Sequence, residues 1–175
     1  MTLVVKESSF DPSLTEAEMQ EADERALPCL EERGAKWCFS WLASDRRRMI
    51  CVFEAPDAES VRESLRKAGV PFERIWAAQL RQPEVQAPIE NDSTTLAVVE
   101  GTYPPFTEDD WNAANNLILP CYQERGVQWI RSLVSLDRRR TICEVQTPDT
   151  EAIRESYRRT GIACDRVWTA QLLKP

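Results

Sequence analysis

The sequence contains no histidine. That absence removes Ser-His-Asp and Cys-His triads, imidazole general bases and histidine-ligated zinc from consideration. No CxxC pair occurs among the six cysteines, at positions 29, 38, 51, 121, 143 and 164. The opening MTLVVKESSF has no basic segment followed by an apolar core, so no secretory leader is expected. The thiols are therefore expected to be reduced and buried rather than bridged. No apolar run approaches the roughly 18 residues that a membrane span needs. The formal net charge of −7 opposes non-specific binding to phosphate backbones, which requires a basic footprint. The expectation is a cytoplasmic protein with neither nucleic acid nor membrane as partner.

What is present is a globular balance of 42% apolar and 29% charged residues over 175 positions, enough for one medium domain or two small ones. The chain repeats itself. ALPCLEERGAKW at 26–37 returns as ILPCYQERGVQW at 118–129, and SDRRRMIC at 44–51 returns as LDRRRTIC at 136–143. Laid over each other with a one-residue gap near position 13, the halves agree at nearly half of their positions, which marks an internal duplication. The reading is a first repeat over 1–83, a proline-rich and polar linker over 84–94, and a second repeat over 95–175.

Each repeat reads as strand, helix, strand, strand, helix, strand. Thr15 and Glu18 form a capping box, and Thr107 begins a weaker one with aspartate. Gly34 and Gly126 end the first helices, Asp57 and Asp149 cap the second, and Gly69 and Gly161 end them. The order βαββαβ predicts a ferredoxin-like unit with both helices on one sheet face. A bare sheet face would be too large an apolar patch for a lone soluble domain. The predicted fold class is therefore α+β, two tandem ferredoxin-like units packed sheet-to-sheet as an intramolecular pseudo-dimer of the dimeric α+β barrel type. A further homodimer is open.

A two-residue turn at Asp45-Arg46 sets Trp41 opposite Ile50, Phe39 opposite Val52 and Trp37 opposite Glu54. In the second repeat Arg131 falls opposite Glu144, an ion pair where the first repeat has an apolar pair. The face away from the helices is then expected to carry Trp37, Phe39, Trp41 and Glu54 in one copy, and Trp129, Arg131 and Glu144 in the other. Glu7 and Glu100, which end the first strands, could reach the same space. Aromatic walls with converging polar groups describe a small-ligand pocket; they equally describe a plain interface core. The arginine clusters read either as solvated hairpin tips paired with nearby carboxylates or as an anion site at a barrel rim.

Several features together resemble a family of small ferredoxin-like domains of unknown function, typified by a nickel-binding protein. They are Glu7 and Glu100, WCFS at 37–40 and WIRS at 129–132, Asp45 and Asp137, and Cys51 and Cys143. APD at 55–57, TPD at 147–149 and RES at 62–64 and 154–156 complete them. The resemblance spans both halves and implies the fold and nickel binding. Where the family carries its strand histidine this chain has Phe39 and Arg131, and in place of the helix histidine it has Ser64 and Ser156. Nickel favours nitrogen donors, so no cofactor is expected, with nickel or another divalent ion as the alternative. The expected function is a non-catalytic small-ligand or metal-binding module, with no catalytic residues assigned. The alternatives are an interaction or scaffold protein, and a cofactor-independent enzyme using a buried carboxylate.

Overall fold

The structure is a computed structural model that describes residues 1–89 and 93–175. Part of the expected linker, residues 90–92, lies outside the described residues. Two compact units emerge, one of residues 1–78 with 171–175 and the other of residues 79–170.

Unit 1 contains β1 (Thr2–Ser9), α1 (Glu16–Glu32), β2 (Lys36–Ala43), β3 (Arg48–Ala55), α2 (Ala58–Ala68) and the start of β4 (Arg74–Arg81). β1 pairs with both β3 and β4, and β3 pairs with β2, all antiparallel. Unit 2 repeats the pattern with β5 (Thr95–Thr102), α3 (Glu108–Glu124), β6 (Gln128–Ser135), β7 (Arg140–Thr147), α4 (Thr150–Thr160) and most of β8 (Arg166–Leu173). There β5 pairs with β7 and β8, and β7 with β6. Among the described residues the fold is α+β, with eight antiparallel strands and four helices in two tandem ferredoxin-like units.

Local chemistry sets the helix ends. Thr15 and Glu18 cap α1 reciprocally, as Thr107 and Asp110 cap α3, satisfying amides that the first turn leaves open. The Asp57 and Asp149 carboxylates accept from the amides of Ser60 and Ala152 at 2.7 and 2.8 Å. Gly69 and Gly161 end α2 and α4 in the left-handed conformation, at φ 69° and 71°.

The hairpin register agrees with the sequence reading from the tip as far as Phe39–Val52 and Arg131–Glu144. Beyond that it changes. A β-bulge between Trp37 and Phe39 sets Trp37 opposite Phe53 and moves Glu54 opposite Lys36. The same bulge between Trp129 and Arg131 sets Trp129 opposite Val145. One extra residue reverses the facing of everything beyond it. Trp37 and Trp129 therefore lie on the helix side of their sheets, packed on the cores there, and not on the face that carries Trp41. The expectation that all three tryptophans share one face is corrected.

The hairpin turn also differs by one position. The Arg46 amide donates to Ala43 O at 2.8 Å, and Arg46 itself is left-handed at φ 60°. Arg138 has the same conformation at φ 57°, with its amide on Ser135 O at 2.9 Å. The tips hold the loops that lead into the first helices. Leu14 and Phe10 donate amides to the carbonyls of Arg46 and Arg47, each at 2.8 Å. Phe106 and Tyr103 do the same to Arg138 and Arg139, at 3.1 and 2.7 Å.

Candidate functional site

The third arginine of each cluster is buried. Arg48 Nη2 donates to Glu7 Oε1 at 2.7 Å, and the Trp76 indole N–H donates to Glu7 Oε2 at 2.6 Å. In unit 2, Arg140 reaches Glu100 Oε1 at 2.6 Å and Trp168 reaches Oε2 at 2.7 Å. Both glutamates are fully buried, and the arginines are only 6% and 8% exposed. Each guanidinium also contacts one partly exposed acid, Glu73 or Asp165, both at 3.1 Å. The tips are thus only partly solvated: Arg46 and Arg47 pair with exposed Glu16 and Asp11 at 3.3 and 3.2 Å, whereas Arg48 and Arg140 brace the fold. An isolated buried carboxylate would be costly, and the guanidinium and indole supply the donors it needs.

The other predicted site residues divide between the two faces of their sheets. Arg131 and Glu144 form an ion pair with Nε–Oε1 at 3.0 Å. Phe39 and Trp41 pack edge to face with ring centroids 5.0 Å apart, on the sheet face away from the helices. Glu54 is exposed beside Lys36. Trp37 and Trp129 stand on the opposite side of their own sheets and line cavities there.

Those cavities occupy equivalent places in the two units, between the first helix and the sheet. A shared relay forms part of each wall. The Trp37 indole N–H donates to Ser40 Oγ at 2.8 Å, and that of Trp129 to Ser132 Oγ at 2.9 Å. Ser132 Oγ lies 2.9 Å from Cys143 Sγ, and Ser40 likewise bonds Cys51. In a regular strand, residues three apart point to opposite faces; the bulge brings tryptophan and serine together. Burial pushes the Cys143 thiol up to about 11 and raises that of Cys51 as well, with the serine contact opposing both. Neutral thiols are poor nucleophiles and poor metal ligands.

In unit 2 the cavity measures about 350 Å³. Trp111 stacks on Phe106 and meets Trp129 edge-on, at centroid distances of 6.1 and 6.5 Å. The Arg81 guanidinium lies 4.8 Å from the centre of the Trp111 ring and grips Glu108 through two bonds of 2.9 and 2.8 Å. Tyr122 and Tyr157 close the inner end with centroids 6.5 Å apart, both hydroxyls held well above their ordinary range by burial. Tyr103 donates its hydroxyl to Ala163 O at 2.6 Å. A Cβ on Gly101 would lie 2.2 Å from that hydroxyl, so the bare glycine makes room for the tyrosine.

The unit 1 cavity measures about 500 Å³. Met19, Leu30 and Leu65 stand where unit 2 has Trp111, Tyr122 and Tyr157. Its floor contains Lys6, which is only 6% exposed; the equivalent residue in unit 2 is Val99. Sequence reading did not single out Lys6, Trp111, Tyr103, Tyr122 or Tyr157. One signal was available: in LVVKES, alternation places Lys6 on the face opposite Val5 and Glu7.

A search of the curated proteins finds no match. Among solved structures, SCO4226 from Streptomyces coelicolor A3(2) is 16% identical; the match covers 49% of this chain and 99% of that one, with a TM-score of 0.38. Chlorite dismutase from Candidatus Nitrospira defluvii is 12% identical over 99% of this chain and 91% of that one, with a TM-score of 0.53. That likeness shows a shared fold, the dimeric α+β barrel class. An anthrone oxidase-like protein is 9% identical over 99% of this chain and 91% of that one, with a TM-score of 0.45. The family model for nickel responsive proteins similar to SCO4226 matches twice, over residues 3–77 and 98–169. Both halves of the chain belong to that SCO4226-like family.

Proposed function

We propose that the protein is a non-catalytic small-molecule-binding module whose ligands occupy the helix–sheet cavities. The observation that carries this reading is the unit 2 cavity. Its volume of about 350 Å³ falls within the range of ligand pockets, and aromatic walls with a few fixed polar groups are their usual lining. Indole and phenol rings offer stacking surfaces for a flat apolar ligand. Indole serves as a probe: it should raise the melting temperature and shift the Trp129 indole resonance in NMR. Trp111→Ala should weaken that binding. Native mass spectrometry of the purified protein adds a search for a retained molecule. A protein that emerges empty and ignores indole overturns the reading.

The residues present do not fit a nickel centre of the kind the family description suggests. The chain has no imidazole. Among the described residues no group of three cysteine, aspartate or glutamate side chains is placed to hold an ion. At the helix position of the family histidine, Ser64 and Ser156 are fully buried and donate back to Ser60 O and Ala152 O at 2.7 and 2.9 Å. Equilibrium dialysis with elemental analysis should find no stoichiometric nickel, and stoichiometric uptake overturns this part. An acid–base role for Glu7, Glu100 or Glu144 is likewise disfavoured, because guanidinium groups already engage all three.

A further inference from the structure

Among the described residues, Lys6 is the one charged side chain lining the unit 1 cavity whose residue is buried. The others there, Glu18, Glu21, Asp23, Arg25 and Lys174, are exposed around the mouth. Lys6 pairs across the sheet with Cys51 and Ile75, both members of the helix-side core, so its side chain rises into that core. Among the described residues it makes no ion pair or hydrogen bond, and its amine is not one of the fully enclosed side-chain atoms that lack a partner, so the ammonium faces the open space of the cavity. Holding an ammonium in a largely apolar cavity with no protein partner is costly. The scaffold does not require it, because unit 2 builds the same strand with Val99, 2% exposed, in the same place. Asp23 at the mouth feels the lysine only at longer range: desolvation raises its carboxyl above the usual range, and the lysine charge opposes that rise.

We infer that the unit 1 cavity binds small apolar carboxylates, the acid group paired with Lys6 and the apolar body against Trp37, Phe53 and Leu30. This rests on the reading of the cavities as ligand sites. A monoanion is favoured over a phosphate dianion because the site offers one buried cation behind a mouth that bears three acids against two bases. The ligand's own charge then supplies the partner that the folded chain lacks. Unit 2, with valine in that position, has no such preference.

Octanoate and 1-octanol share an apolar tail and differ in the head group. NMR titration of the full chain, following the Trp37 and Trp129 indole signals, separates the two cavities. Octanoate should bind at Trp37 at least about tenfold more tightly than octanol, since charge-assisted hydrogen bonds are the stronger ones. Lys6→Met should abolish that preference while leaving octanol binding in place, and should raise the melting temperature of the ligand-free protein. Asp23→Asn, which removes a competing carboxylate, should tighten octanoate further. Equal binding of the two probes to the unaltered protein overturns the inference and leaves the binding-module reading standing. Octanoate affinity unchanged in Lys6→Met also overturns it. If neither probe moves the Trp37 signal, the unit 1 cavity is no ligand site at all.

Discussion

The two units share a frame and differ in the space they enclose. Glu7–Arg48–Trp76 and Glu100–Arg140–Trp168 match bond for bond, as do the Trp–Ser–Cys relays. The cavity linings part company, with lysine, methionine and leucine in one and tryptophan and tyrosine in the other. The buried polar groups that recur are those that would be costly if left unsatisfied. The residues that vary change the shape and polarity of the space beneath the helices. The Glu–Arg–Trp networks lie on the face away from the helices, and the relays and the varied side chains on the helix side.

The largest expected effect tests the shared frame. Arg48→Met and Arg140→Met each leave a buried glutamate uncompensated and should cost about 3–5 kcal/mol, read by chemical denaturation. The equivalence of the units breaks if one loss is much smaller than the other. The next test concerns the thiols. Cys143 ordinarily titrates near 9.0 and in the fold near 11, so above pH 9 the unfolded chain releases a proton that the native state retains. Stability should fall between pH 9 and 11 by roughly 2–3 kcal/mol from this group, and Cys143→Ala should flatten that decline.

A third pair sharpens the difference between the units. Gly101→Ala places a methyl against Tyr103 and should cost about 1–3 kcal/mol. At the equivalent position, Ser8 buries a hydroxyl oxygen with no hydrogen-bond partner. Ser8→Ala should therefore be neutral or stabilising, by up to about 1 kcal/mol. Opposite signs in thermal melts support the account, and equal losses contradict it. The smallest effects are the caps: Asp57→Ala and Asp149→Ala should each cost about 1 kcal/mol, alike in both units.

Much of the frame was legible in the sequence. The duplication, the element order, the four N-caps and the pairing of Arg131 with Glu144 all follow from local chemistry and period-two alternation. The bulges were not legible from alternation, because an inserted residue leaves the hydrophobic pattern nearly unchanged while reversing its sense. Trp37 and Trp129 were misplaced for that reason. The W-x-x-S spacing held a usable clue, since that pair can bond only where the strand breaks parity. Arg48 was assigned to the tip although it shares parity with Ile50 and Val52, and parity alone would have put it beside Glu7. The helix-side cavities had no local signature. They arise from the volumes of side chains distant in sequence, such as Met19, Trp37 and Leu65 in unit 1.

One turn residue bears on how a molecule would reach the unit 1 cavity. A left-handed Arg46 is held at some conformational cost, of order 1 kcal/mol or more for a non-glycine residue, yet its Nε donates to Leu14 O at 2.6 Å and its Nη2 meets Glu16. Leu14 lines the cavity, and Glu16 opens α1. Any route of entry that swings the start of α1 outward must first undo this latch. Its outer half is an exposed ion pair that salt weakens, so the gate would yield more readily in brine than in dilute buffer.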